Sequence, residues 1–427
     1  MMYSQVYGLL SLRQALADTK RARGSRTAGV DGITMNAFLG GHRGARILAE
    51  IACELEDHSY RPEALRSLRI KKTSGKMREL SIPTLKDRVV QRAIINVLSP
   101  ALDPLMSSAS HGFRPGRGVH TAVGALRIRL QRDLGVKYVL KADLKEAFPS
   151  VDRVLLMERL IRAVRDDEVI DLVRRIIDFR KQVSRTRTKP IKGLAQGAPL
   201  SPFLLNIALG PFDEHWDSNT RLLESLRRGT ATSTRGDPSL VRYADDLVVM
   251  CRGSRGRVEH LRGLIDEWLK EALGMRLHDA RVKTGVYPVV TGFDFLGRRF
   301  HRCRGSNRLK VEVSRSSLKK HQRRLREHAL GVPLDAPVDT VIEALNTSNE
   351  GWLRSFHKEA TAGVLARVDR ATVTAMKCWL SRKHQGWRET RVEERYMDGT
   401  TYVGEKFRLV PVANRVRRAL GRTTDVG

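Results

Sequence analysis

Among its 427 residues the chain has only four cysteines and 6% aromatics. Cys53, Cys251, Cys303 and Cys378 are scattered, which excludes a disulfide scaffold and a CxxC zinc cluster. They read as free thiols of a reducing, cytoplasmic protein. No apolar run approaches ~18 residues, so no membrane span is expected. The opening MMYSQVYGLLSLRQALADTKRARG has no long apolar core ahead of a small-residue cleavage site, which argues against a secretory signal. Acid is scarce beside base: 47 acidic residues face 78 basic ones, for a formal net charge of +31. Solubility does not require such a surplus. Cations spread along a chain fit a polyphosphate partner, because backbone neutralisation needs many of them. The length and 41% hydrophobic content allow two or three folded domains.

What is present centres on VRYADDLVVM, 241–250, where Asp245 and Asp246 stand between two apolar, strand-like runs. Adjacent carboxylates repel and lose hydration on burial, and a divalent cation removes both costs. Hard oxygen ligands suit magnesium. The plainer alternative is an acidic surface turn. Asp143 follows the strand-like KYVLKA and could join Asp245 across a small sheet; by itself it also reads as a cap or turn residue. Two metal ions held by such carboxylates can activate a hydroxyl and stabilise a departing pyrophosphate.

Other segments place these residues. Residues 1–60 read as helix and connector with a turn at AGVDG, 28–32. RSLRIKK and KMRELSIP form a hairpin around TSG, followed by helical spacing from Asp87 to Leu98. The loop HGFRPGRG, 111–118, precedes a helix reaching about Gln131. LLMERLIRAVRDDEVIDLVRRII reads as one helix, and RKQVSRTRTKPIKG as a basic hairpin. SPFLLNIALGPFDEHW is an apolar helix, and a Gly/Ser-rich charged linker, 227–239, leads to the carboxylate strand. An amphipathic helix near 256–273 and a short strand around 293–300 follow. From about 310 the composition turns to helical segments dense in Lys and Arg.

YADD (243–246), KADLKEAF (141–148), GLAQGAPLSPFLLNIAL (193–209), HGFRPGRG, KKTSGKMRELSIPTLKDRVVQRAI (71–94) and FLGRRF (295–300) occur in an order that resembles the bacterial group II intron-like reverse transcriptases, whose relatives include defence-associated enzymes. The resemblance covers roughly 25–300 and extends through GWLRSF, 351–356. It implies an α/β polymerase right hand, with fingers and palm around a central antiparallel sheet and a mainly helical thumb after them. Residues 1–135 would then be an N-terminal extension and fingers, 136–305 the palm with part of the fingers insertion, and 306–427 the helical thumb with a basic C-terminal region.

The resemblance also implies residue roles. Asp143 and Asp245 would hold two Mg²⁺ ions, with Mn²⁺ as an alternative, and Asp246 would complete the acidic site. Phe148 would gate the 2′-hydroxyl by volume; as a bare residue it is a core position of an amphipathic helix. Lys72 and Arg78 would hold the triphosphate of a deoxynucleotide, the alternative being a solvated hairpin tip. Gln196 would sit near the nascent base pair, with Gly197 allowing close backbone approach. The family pattern puts Pro before this glutamine and often two glycines after it; here Ala195 and Ala198 depart from that pattern. Lys283 would neutralise the departing phosphate, or be a surface lysine. Arg114 and Arg117 would grip backbone phosphates, or line a loop surface. Basic faces at 317–328, with Lys319, Lys320, Arg323 and Arg324, and at 377–391 would follow a cDNA/RNA duplex, while Trp352 and Trp379 read as anchors of the thumb core.

The resemblance leaves the template unnamed. One expectation is copying of a structured noncoding RNA in antiphage defence, prompted by the altered glutamine motif and the short stretch after the thumb, which holds no paired-cysteine nuclease. The others are an intron maturase acting on its own intron RNA and an RNA-binding scaffold with incidental polymerase activity.

Overall fold

The computed structural model describes residues 2–22, 24–40, 43–71, 77–184, 187–217, 238–279 and 283–419. They form two compact units, 1–288 and 289–427.

In the first unit, strands β1 (Arg66–Lys71) and β2 (Met77–Ile82) make an antiparallel hairpin. Strand β3 (Tyr138–Asp143) ends on the first acidic residue. Strands β4 (Arg180–Gln182) and β5 (Thr188–Pro190) form the basic hairpin. Strands β6 (Ser239–Tyr243), β7 (Asp246–Cys251) and β8 (Gly285–Pro288) join β3 in a four-stranded antiparallel sheet of order β6-β7-β3-β8. Leu140, Ala142, Leu247 and Val249 bury one side of this sheet in a core shared with Leu261, Ile265 and Leu269 of the helix Arg255–Leu273. Ser254 caps that helix by accepting from the Arg257 amide, and Gly274, at φ +63°, ends it.

The segment 155–177 is two helices, Arg153–Ala163 and Asp167–Ile177, rather than the single one its pattern suggests. Asp166 breaks it. One carboxylate oxygen accepts from the Val169 amide, and the other accepts from the amide of Tyr3, far away in sequence.

The second unit begins with a three-stranded sheet, β9 (Phe293–Phe295), β10 (Arg298–Arg302) and β11 (Leu309–Val313), in the order β11-β10-β9. Its main helices are Arg315–Leu330, Val338–Phe356 and Ala362–Lys383. The compositional change near 310 marks where the helices start, but compactness divides the chain earlier. Arg298 is the reason: it reaches the Ser355 carbonyl, pairs with Glu359 at 3.4 Å and lies 4.6 Å over the Phe356 ring, tying the sheet to the helices. No helix among the described residues is long and apolar enough to cross a membrane.

Candidate active site

Tyr243 pairs with Asp246 across the β6–β7 hairpin, leaving Ala244 and Asp245 as a two-residue loop. Ala244 takes φ +55°, the sign that such a loop needs at its first position. The turn is held from below by Arg242, a fully buried cation in an otherwise apolar strand. Its guanidinium donates to both Asp213 carboxylate oxygens, to Asn206 Oδ1 at 2.9 Å, to Ser110 Oγ at 2.8 Å and to the Ala244 carbonyl at 3.0 Å. Gly112 lies against the same turn. A Cβ there would fall 2.7 Å from the Ala244 nitrogen, so only glycine fits.

Register brings the carboxylates together. Asp143, the last residue of β3, is the cross-strand partner of Asp246, the first of β7, so both project on one face. Asp245 stands beside them in the loop, and its carbonyl accepts from the Leu144 amide at 3.2 Å. On the other flank the Asp143 carbonyl accepts from the His278 amide at 2.7 Å.

Burial, followed by the nearby Asp143 carboxylate, pushes the Asp245 carboxyl up, while Arg78 and Lys283 pull it back. Burial, then repulsion from Asp143 and Asp245, pushes Asp246 up to about 6, with Lys141 and Lys283 opposing. Two carboxylates held at this cost point to a cation. The Lys283 ammonium already stands in for one, paired with Asp143. Among the described residues no three acidic, His or Cys side chains are drawn to metal-ligand spacing. The donor set is nevertheless all carboxylate oxygen, the chemistry that Mg²⁺ takes, and Lys283 is partly exposed and able to swing away.

The remaining predicted residues fall in several places. Arg78 is exposed on β2 and acts electrostatically on Asp245; Lys72 lies outside the described residues. Phe148 is half-buried in the short helix Ala147–Ser150, packed on the core. Its carbonyl accepts from the Leu194 amide at 2.8 Å, next to the glutamine segment. The Gln196 carbonyl accepts from the Ser81 amide at 2.8 Å, and Gly197, at φ +119°, lets that close approach happen.

Arg114 departs from its expected role. It is buried, and its guanidinium donates to Asp103 Oδ1 at 2.7 Å and to the carbonyls of Ser107, Ser110 and Asp103. A phosphate would have to displace these partners. Arg117 likewise donates to the Ser108 and Ser110 carbonyls, at 2.8 and 3.2 Å. These loop carbonyls were invisible in the sequence as partners.

In the second unit Lys319, Lys320, Arg323 and Arg324 are all exposed on the helix Arg315–Leu330. Arg323 pairs with Glu327 at 3.3 Å. Trp379 is fully buried and donates to the Val332 carbonyl, and Trp352 is buried beneath a stacked His321, so both are core anchors.

The sequence reading missed Arg242 and Lys141. For Arg242 the signal was a charge in the middle of a buried strand. For Lys141 it was the two-residue alternation that puts it on the Asp143 face.

An antiparallel sheet that presents carboxylates at the tip of a hairpin defines a polymerase of the right-hand class. The profile of the family described as reverse transcriptase (RNA-dependent DNA polymerase) matches residues 70–300, more than half the chain. The chain belongs to that family, in its group II intron-like branch, and is an RNA-directed DNA polymerase. Protein YkfC of Escherichia coli is 32% identical over 319 residues, 69% of this chain and 81% of that protein. The group II intron-encoded protein LtrA of Lactococcus lactis is 30% identical over 193 residues, 45% of this chain but only 31% of LtrA. Nuclear intron maturase 1 of Arabidopsis thaliana is 34% identical over 110 residues, 25% of this chain and 15% of that protein. The family in general uses divalent metals and an RNA template.

Proposed function

We propose that the chain copies a structured RNA into cDNA by two-metal nucleotidyl transfer at the β3–β7 edge. The convergence of Asp143, Asp245 and Asp246 there carries this reading. In it Asp143 and Asp245 hold two Mg²⁺ ions and Asp246 completes the acidic wall. Bound there, the ions would supply Lewis acidity for the primer 3′-hydroxyl and the leaving pyrophosphate.

The chain's own groups do the rest. Arg78, with Lys72, orients the triphosphate as a planar fork beside a point charge. The Phe148 ring leaves no room for a 2′-oxygen, and Gln196 backs the nascent pair from its fixed main chain. Lys283, released from Asp143 when the acidic site is filled, is positioned to neutralise the departing phosphate. The exposed Lys319, Lys320, Arg323 and Arg324 follow the cDNA/RNA duplex.

Two biological uses fit such a polymerase. The altered glutamine motif favours a dedicated enzyme of antiphage defence working on a partner noncoding RNA. The names of LtrA and the Arabidopsis maturase favour action on an intron RNA, in splicing and mobility; this second use has the more specific support. Sequencing of RNA and attached cDNA co-purified from native cells, wild type beside Asp245→Ala, tests both. A surrounding intron identifies a maturase, and one standalone structured RNA with matching cDNA identifies the defence type. RNA without Asp245-dependent cDNA would leave an RNA-binding scaffold and sink the polymerase role.

A further inference from the structure

In the loop His111–Gly118 the side chains sit opposite to their polarity. Arg114 is buried, while the Phe113 ring next to it is 52% exposed. Phe113 also takes φ +55°, a left-handed conformation that a bulky residue adopts only when its surroundings enforce it. The enforcement comes from both sides. The His111 amide donates to the Arg242 carbonyl at 2.9 Å, Gly112 is pressed on Ala244, and Arg114 is bound to Ser107, Ser110 and Asp103. The loop therefore holds an aromatic face in solvent against both the hydrophobic effect and backbone preference.

That face is next to the catalytic hairpin, with its ring centroid 6.0 Å from that of Tyr243 and tilted by 46°. It also lines a groove of about 710 Å³ together with Pro199, Pro202 and Phe203, in which Asp18 and Asp103 balance Arg92 and Arg114. The volume is of ligand size. The prolines carry no amide donors, so the apolar part of the groove does not select among hydrogen-bonding edges. Such a surface suits the flat apolar face of a base.

We propose that Phe113 is a stacking platform for a nucleobase of the strand held at the Tyr243–Asp246 hairpin. The inference rests on that hairpin being the polymerising centre. Every base has a π-face, so stacking holds a strand without reading its sequence. The base belongs to the template or to the primer.

The test separates ring from strain and binding from chemistry. Phe113→Gly removes the ring and relieves the left-handed backbone together; Phe113→Leu removes the π-face and keeps an apolar side chain. Both are made in the full-length chain carrying Asp245→Asn, and binding of a primer–template is measured without turnover. The expected result is a Phe113→Gly protein at least as heat-stable as its parent that binds about 5- to 150-fold more weakly, with Phe113→Leu also weakened. Single 5-iodouracil residues, placed in turn at the primer terminus and at template positions, should photo-cross-link to the peptide containing Phe113, and the position that does so names the strand. Unchanged binding in both variants with no cross-link to that peptide would overturn the platform and leave the groove to a protein segment. Lost heat stability with unchanged binding would overturn it too, making the ring packing alone. Because binding and cross-linking need no catalysis, failure of the polymerase reading would surface separately, as an Asp245-independent product in primer extension.

Discussion

The sheet that carries Asp143, Asp245 and Asp246 and the helical core of the second unit treat buried polar groups in opposite ways. In the helical core three of them close into a chain, while Ser348 Oγ and Trp352 Nε1 are left without a hydrogen bond. His321 Nε2 meets Asn349 Oδ1 at 2.9 Å, the Asn349 amide donates to Thr372 Oγ1 at 3.1 Å, and Thr372 donates to the Val368 carbonyl. At the hairpin, like charges are held close: burial and then Asp143 raise the proton affinity of Asp245, and burial, Asp143 and Asp245 raise that of Asp246. Arg242, a buried cation beneath the turn, is spent on Asp213 and on the turn's backbone and does not relieve the carboxylates. Charge repulsion is thus placed where an external cation and a substrate would release it, while the chain in the helical core joins uncharged groups.

The largest effect is expected from removing a carboxylate. Asp245→Asn should cost polymerisation on the order of 10²–10³-fold or more, yet leave the melting temperature equal or higher, because one partner in the repulsion is gone. Primer extension beside a thermal melt checks this, and a clear drop in melting temperature would break the contrast. Arg242 should behave in the reverse sense. Arg242→Met strands Asp213 and should destabilise by about 3–5 kcal/mol. Adding Asp213→Leu should restore much of that stability in a denaturant titration without restoring activity, since the Ala244 carbonyl has still lost its donor.

Acid should divide the two regions by sign. Asp246, raised from 3.8 to about 6, binds a proton more readily folded than unfolded, so its contribution is present below 3.8 and is lost as pH rises through about 6. His321, pushed down from 6.5 to about 4 by burial, is held neutral when folded. Its contribution is present above 6.5 and is lost as pH falls toward 4. In the first unit His111, also pushed down to about 4 by burial, has the same sign as His321, as do His215 and His278, both pushed down chiefly by burial. Peptide-resolved hydrogen exchange at pH 7 and pH 4.5 should therefore show the helices around His321 loosening on acidification and the Asp246 strand not. Asp246→Asn and His321→Gln should each flatten only its own region. The smallest effect belongs to the exposed cations: Lys319→Ala or Arg323→Ala should lower the salt slope of primer–template binding by about 0.7–0.9 per contact with melting unchanged.

Much of this was legible in advance because its chemistry is contiguous. The Asp245–Asp246 pair between apolar runs marks both strands and the turn, and the segment from Lys141 to Phe148 marks a strand entering a helix. What escaped depends on partners distant in sequence. Asp166 splits a continuous helical pattern because Tyr3 offers it an amide. Arg114 turns inward because the Ser107, Ser110 and Asp103 carbonyls converge on it, and Phe113 is turned outward in exchange. Neither follows from local propensity, which favours the arginine in solvent and the ring in the core.

The sequence by itself determined the secondary structure of the sheet, the identity of the acidic residues and the excess of positive charge, because alternation, turn chemistry and composition are local properties. Only the tertiary structure decided which charges are buried, which are paired and which repel. Desolvation and Coulomb energy depend on neighbours that the chain brings together from far apart, as Lys283 comes to Asp143 and Arg242 to Asp213.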